Sequence, residues 1–179
     1  PGDIFITNDH YSGGGTHLPD ITLAAPFFVE GNPIAFVANA AHHAEVGGSP
    51  SRPLDIYTEG LRIPLVRLYR EGEICQDIMD FILLNCRLPE ERLSDLRAQV
   101  ASLETGLQRM DELVDRYDVD VLMACLSHLE EQAEAQARKG IRSIPRGTYR
   151  FTDHMDGDGF QSEPLPITVA VTVGDGEIT

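Results

Sequence analysis

Two apolar runs separated by a short turn constrain the fold of this 179-residue chain most strongly. Residues 21–29 and 34–41 are each long enough for a β-strand, and the intervening Glu-Gly-Asn-Pro has the composition of a turn. The pattern predicts a β-hairpin. Because the strands of a hairpin are antiparallel, the start of the first strand lies beside the end of the second.

Metal-binding residue types are placed at those two ends of the predicted hairpin. Four of the six histidines lie within residues 8–48, namely His10, His17, His42 and His43. Imidazole and carboxylate groups are the ligands that borderline and hard divalent metals prefer. We therefore predict a composite metal site at this end of the hairpin, and a polar surface patch is the alternative interpretation.

The spacing suggests one particular ligand set. His17 and Asp20 precede the first strand, and His42 and His43 follow the second. Neighbouring residues of a strand point to opposite faces, so we assign His42 to the metal and His43 to acid–base chemistry or substrate contact. Two histidines and one carboxylate leave coordination positions open, as a catalytic zinc, manganese or iron ion needs.

Other polar residues of the same region are candidate helpers. Asp9 and Glu45 are predicted to orient the ligands or to act as a general base, and in an alternative set one of them is itself a ligand. Gly13, Gly14 and Gly15 are predicted to form either an anion-binding loop of backbone N–H groups or a flexible turn. No Gly-Lys-Ser/Thr sequence follows them, so a Walker loop is excluded.

The rest of the chain predicts an α+β fold with β-rich ends. We expect a β-rich site region over residues 1–74, a helical region over 75–140 and a second β-rich region over 141–179, together forming one domain. Residues 93–117 carry a heptad pattern that suits a partner helix or a subunit interface. A second helix over 121–139 predicts an antiparallel helical hairpin, and Asp77 is the expected N-cap of a shorter helix before it. Strands are expected at 147–153 and 167–173, and residues 61–69 are expected to be extended with an interruption at Pro64.

Composition excludes some classes of partner. The net charge of −15 argues against nucleic acid and anionic membranes. No apolar run approaches the ~20 residues of a membrane span. Cys75, Cys86 and Cys125 form no CxxC motif and lie in apolar patterns, which predicts buried thiols in a reducing cytoplasm. The absence of an N-terminal Met and the strand-like C-terminus predict an internal fragment of a larger subunit.

Four segments together resemble the hydantoinase B/5-oxoprolinase family. They are GDIFITNDHYSGGGTHLPDITLAAP, VANAAHHAEVGG, EGLRIPLVRLY and PEERLSDLRAQV, which occur in this order over nearly the whole chain. The resemblance implies the B-type component of an ATP-dependent hydrolase of cyclic amides such as hydantoin, N-methylhydantoin or 5-oxoproline. Metal-activated water would attack a carbonyl that a hydantoinase A-type, ATP-binding partner has phosphorylated, so ATP would bind the partner in a hetero-oligomer and not this chain.

The same family contains acetone and acetophenone carboxylases. In the acetone carboxylases the metal ligands correspond by resemblance to His17, Asp20 and His42, so a ketone carboxylase is an alternative function. A non-catalytic module that docks the A-type partner through the helix over residues 90–117 is another. This chain departs from the family pattern at His10, where proline is usual, at Glu45, where aspartate is usual, and in a short segment over residues 48–56.

Overall fold

The computed structural model describes residues 1–12, 15–49, 55–158 and 163–179. The chain divides into two compact units, Pro1–Arg116 and Tyr117–Thr179, which are described separately. The first unit contains a five-stranded antiparallel sheet of order β3-β2-β1-β4-β5. Its elements are β1 (Ile4–Thr7), β2 (Asp20–Val29), β3 (Asn32–His42), α1 (Ile56–Glu59), β4 (Val66–Arg70), β5 (Glu73–Ile74), α2 (Gln76–Leu84) and α3 (Pro89–Tyr117).

The predicted hairpin is present as β2 and β3, which pair along their whole length. The connection is tighter than expected, since β3 begins at Asn32 rather than at Ile34. Glu30 and Gly31 form a two-residue turn with φ angles of 51° and 81°. Positive φ at both central positions matches the twist of the flanking strands, and this lets the strands continue to the turn.

The core of the first unit lies between one face of the sheet and the first half of α3. Every second residue of β2 is buried: Ile21, Leu23, Ala25 and Phe27. Leu96, Val100 and Leu103 of α3 belong to the same buried cluster. A Cβ on Gly106 would lie 2.6 Å from Val37 Cγ1, so the helix and β3 approach closely. The first half of the predicted heptad seam therefore packs on the sheet and not on a partner helix, because 3–4 spacing buries one face of a helix against any apolar surface.

The segment predicted to be extended over residues 61–69, with an interruption at Pro64, is a paired strand only from Val66, where β4 begins. The backbone before Pro64 forms hydrogen bonds with the Asn8 side chain. Leu61 O accepts from Asn8 Nδ2 at 2.9 Å, and Ile63 N donates to Asn8 Oδ1 at 2.7 Å. Proline also lacks the N–H that a ladder needs. The Asn8 side chain thus bonds this segment to the end of β1, beside a backbone hydrogen bond from Asn8 N to Ile63 O at 3.1 Å.

Two helix boundaries also differ from expectation. Helix α2 begins one residue before Asp77, so Asp77 lies in the first turn, and the N-cap residue Cys75 makes no side-chain cap. The helix after α3, α4 (Val119–Arg142), continues past Gly140. Gly140 O accepts from Ser143 N at 3.1 Å, which closes a further turn beyond the glycine.

The second unit contains α4 and a two-stranded antiparallel sheet of β6 (Gly147–Met155) and β7 (Leu165–Val173). Both strands extend beyond their predicted bounds because pairing continues to Met155 and Leu165. The two long helices are thus both present. Cys125 is exposed, contrary to the prediction of a buried thiol, since Leu122 is the only buried residue described in α4.

The α+β class with antiparallel sheets is confirmed. The assignment of residues 1–179 to one domain stays a prediction. In the part of the chain that the structure describes, every helix is too short or too polar to cross a bilayer.

Candidate metal centre

The hairpin register brings the three predicted metal ligands together. Asp20 and His42 are directly opposite each other in the pairing of β2 with β3. His17 reaches them through a tight turn in which Asp20 N donates to His17 O at 3.1 Å. One donor atom from each of the three side chains lies within 4.8 Å of the other two. The described residues contain no second group of this kind.

The donor atoms of this group, the metal centre candidate, are close without being bonded to one another. His17 Nδ1 lies 2.9 Å from Asp20 Oδ2. The nitrogen is buried and forms no hydrogen bond with a described residue, so it is available to a metal. The rings of His17 and His42 have centroids 4.9 Å apart. Two imidazoles and a carboxylate whose donor atoms converge in this way fit a borderline divalent cation. His42 is exposed, which leaves an approach open to a substrate.

His43 lies on the opposite face of the hairpin from the metal centre candidate. Its side chain is only 2% exposed, and its Nε2 donates to Gln99 Oε1 of α3 at 2.9 Å. The pKa of His43 is lowered, because the effect of burial exceeds that of the hydrogen bond to Gln99, which raises the pKa. The expected alternation of neighbours is therefore observed. A role for His43 in acid–base chemistry stays a prediction.

Asp9 is buried in an ion pair that holds it in its charged form. Arg62 Nη2 donates to Asp9 Oδ1 at 2.9 Å, and Ser12 Oγ donates to Asp9 Oδ2. The hydrogen bond from Ser12 lowers the pKa of Asp9, burial opposes it, and Arg62 lowers it further. A carboxylate stabilised in this way is ionised at neutral pH and is a weak base.

Glu45 bonds to the backbone that precedes α3. Its carboxylate accepts from Gly47 N at 2.7 Å and from Arg87 N at 2.8 Å. Burial raises the pKa of Glu45, but the backbone N–H groups of Gly47, Arg87 and Leu88 and the charge of Arg87 together bring it below its usual value. Among the described residues Glu45 does not join the converging donors. Its predicted part in the chemistry stays a prediction.

Replacing Glu45 with glutamine is expected to flatten the dependence of stability on pH. The folded pKa of Glu45 lies below its reference value of 4.5, so its contribution is complete above that pH and is lost as the pH falls through the lower folded value. Glu45→Gln should cost about 1–2 kcal/mol of unfolding free energy at pH 7, because an amide N–H then faces a backbone donor. The difference from the unsubstituted protein should shrink as the pH falls below 4.5.

Urea unfolding at several pH values measures this effect. Glu104→Gln is the matched control, because Glu104 is an exposed carboxylate on α3. An equal loss of stability for Glu45→Gln at pH 7 and at pH 3 would contradict the assignment.

The glycine loop is described only at its last residue. Gly13 and Gly14 lie outside the described residues, so the anion-binding loop stays a prediction. A Cβ on Gly15 would lie 2.6 Å from Asp20 Cβ. Glycine at position 15 therefore allows the backbone to pass directly beside a candidate ligand. His10 does not join the converging donors among the described residues, and its ring lies against Tyr11.

Two residues that sequence reasoning did not assign to the site hold the segment between His17 and Asp20. Asn8 is completely buried and its Nδ2 donates to Leu18 O at 2.8 Å. Leu18 N donates to Glu59 Oε1 at 2.8 Å. Neither pairing has a sequence signal, since Asn8 precedes Leu18 by 10 positions and Glu59 follows it by 41.

Comparison with known proteins shows the family of this chain. The profile of the hydantoinase B/oxoprolinase family matches residues 1–179, which is the whole chain. The chain belongs to the hydantoinase B/oxoprolinase family. The resemblance seen in the four sequence segments is thereby confirmed.

Relatives within the family include enzymes and solved structures. The chain is 31% identical to the caprolactamase β-subunit of Pseudomonas jessenii over 98% of its own length, and 32% identical to the 5-oxoprolinase of Dictyostelium discoideum over 94%. The crystal structure of the ATP-dependent caprolactamase from P. jessenii has a TM-score of 0.89 at 31% identity and covers 99% of this chain. An acetone carboxylase structure, at 18% identity and a TM-score of 0.77 over 99% of this chain, shares the fold.

The chain spans a small part of these relatives. It covers 31% of the caprolactamase β-subunit, 14% of the Dictyostelium 5-oxoprolinase, 31% of the solved caprolactamase chain and 26% of the acetone carboxylase chain. The family is thus established for this chain. The activities of these relatives belong to much longer proteins.

Proposed function

We propose that this chain forms part of the B-type component of an ATP-dependent cyclic-amide hydrolase. The main support is that donor atoms of His17, Asp20 and His42 lie within 4.8 Å of one another. The family profile matches the whole of this chain. The names of the relatives support the substrate class, since caprolactam and 5-oxoproline are both cyclic amides. The solved caprolactamase is described as ATP-dependent, which supports the energy source.

The three side chains would hold a divalent zinc, manganese or iron ion. When bound, such an ion lowers the pKa of water and polarises a carbonyl oxygen, and these are the two demands of amide hydrolysis. Asp20 supplies the negative charge, and the two histidines bind as neutral imidazoles. The side chain of His17 is 43% exposed and that of Asp20 is 26% exposed, so the substrate reaches the donors from the solvent side.

Of the three predicted helpers, Asp9 is the one we assign to substrate contact. It lines a cavity of about 420 Å³ together with Tyr57, Leu61 and Arg62. This volume suits a small cyclic amide. The ionised carboxylate, which Arg62 holds in place, would accept a hydrogen bond from the ring nitrogen while that nitrogen carries a proton. We assign His43 and Glu45 to holding α3 and the segment before it against the hairpin, since their bonds go to Gln99 and to Arg87 N.

The remaining parts of the reaction belong outside this chain. It has no Walker loop, so ATP binds a hydantoinase A-type partner that delivers the phosphorylated amide. We propose a hetero-oligomer for this reason, and a cytoplasmic location because the reaction consumes ATP.

An ATP-coupled screen of the natural full-length protein with its A-type partner tests this function. Hydantoin, 5-oxoproline and caprolactam are the substrates, and the metal content of the purified complex is measured in parallel. We expect ring opening that requires ATP and a bound divalent metal. Bicarbonate-dependent ATP consumption with a ketone would replace the hydrolase by a carboxylase. A complex that holds the partner but neither metal nor substrate would leave only an assembly role.

A further inference from the structure

Glu59 contacts the peptide group beside a proposed metal ligand. Its Oε1 accepts a hydrogen bond at 2.8 Å from Leu18 N, which belongs to the peptide that joins His17 to Leu18. The side chain of Leu18 is completely buried. On its other side, Leu18 O accepts from Asn8 Nδ2 at 2.8 Å. Both peptide groups of Leu18 are therefore held, and the direction of the His17 side chain depends on them.

The turn that carries Glu59 is itself well defined. Helix α1 is a single turn with a capping box, in which Asp55 Oδ1 accepts from Thr58 N at 2.9 Å and Thr58 Oγ1 accepts from Asp55 N at 3.1 Å. Reciprocal capping of this kind satisfies donors at the start of a helix and defines where it begins. The backbone of Glu59 therefore occupies a fixed position relative to Asp55.

The same turn is attached to the segment that follows His42. Ser49 N donates to Thr58 O at 2.8 Å. A Cβ on Gly48 would lie 2.2 Å from Glu59 O, so glycine is required for the two backbones to approach this closely. Gly48 also has a φ of 69°, which other residues rarely adopt. The α1 turn thus joins the segment that follows His42 to the segment that carries His17, at the same end of the hairpin.

We propose that Glu59 is a positioning residue of the metal centre, an inference that rests on the proposed metal-dependent function. By holding the Leu18 amide, its carboxylate keeps the donor atoms of His17 and Asp20 in the converging arrangement before any metal binds. Outer partners that orient metal ligands typically contribute about 10- to 100-fold to metal affinity. Glu59 does so through the backbone of the ligand segment rather than through an imidazole N–H.

Three variants of the natural full-length protein test this role. Glu59→Ala removes the acceptor. Glu59→Gln keeps a side-chain oxygen at the same reach, and Glu104→Ala removes an exposed carboxylate of α3 as the matched control. The affinity for Zn²⁺ and Mn²⁺ is measured by competition with a chelating dye. Hydrogen–deuterium exchange of the Leu18 amide is measured on the metal-free protein.

We expect Glu59→Ala to weaken metal binding about 10- to 100-fold and to accelerate exchange of the Leu18 amide in the metal-free state. Glu59→Gln should restore both properties, and Glu104→Ala should change neither. Rescue by glutamine separates the loss of a positioning bond from a general failure to fold.

Three contrary results would overturn the proposal. If the unsubstituted protein binds no divalent metal, the proposed centre fails and the role of Glu59 fails with it. If the unsubstituted protein binds metal and Glu59→Ala binds it equally well, the positioning role alone is wrong. Unchanged exchange at Leu18 in Glu59→Ala would show that the bond does not restrain this segment in solution, which also refutes the proposal.

Discussion

Replacing His17 with alanine is expected to remove bound metal and turnover together. His17 Nδ1 lies 2.9 Å from Asp20 Oδ2, and His17 is one of the three side chains whose donors converge. Loss of a direct ligand should cost more than the about 10- to 100-fold in affinity that loss of an outer partner costs. Metal analysis after gel filtration and the ATP-coupled assay with the natural partner measure the two losses.

The matched control for His17 is His128, an exposed histidine of α4 whose Nε2 lies 2.9 Å from Gln132 Nε2. His128→Ala should retain the metal and the activity. Because the side chain of His17 is 43% exposed, His17→Ala should unfold at nearly the same urea concentration as the unsubstituted protein. Full metal content and full activity in His17→Ala would refute the proposed centre.

Replacing Asn8 with alanine is expected to cause a large loss of stability. Asn8 is completely buried, and its amide donates to Leu18 O and Leu61 O and accepts from Ile63 N. Alanine would leave these backbone groups without partners, and each buried unpaired group costs about 1–3 kcal/mol. We expect a total loss of about 3–5 kcal/mol in the free energy of unfolding, measured by urea denaturation.

Two further variants define the cause of that loss. Asn8→Asp keeps the size of the side chain but turns an acceptor oxygen toward the carbonyl groups of Leu18 and Leu61, so it should be destabilised as well. Asn32→Ala is the control, because Asn32 is an exposed asparagine at the start of β3. A stability of Asn8→Ala equal to that of Asn32→Ala would show that these bonds contribute little.

The hairpin could be predicted from sequence because its determinants are local. A short turn brings the two strand ends together, and alternation along each strand assigns every residue to a face. Alternation accounts for the separation of His42 from His43. The direct opposition of Asp20 and His42 also requires a register shift between Phe27 and Phe28, which the sequence did not reveal. The same rules did not reveal what the heptad of α3 packs against, since the spacing of apolar residues identifies a buried face but not its neighbour.

By itself, the sequence determined the β2–β3 hairpin, the grouping of His17, Asp20 and His42 at one end of it, and membership of the family. Only the tertiary structure decided what holds that group in place. Glu59 meets Leu18 across 41 positions, Asn8 meets Leu61 across 53, and Gln99 meets His43 across 56. Periodicity and turn composition act over a few residues, whereas these partners are selected by the packing of a buried core in which each polar group must be paired.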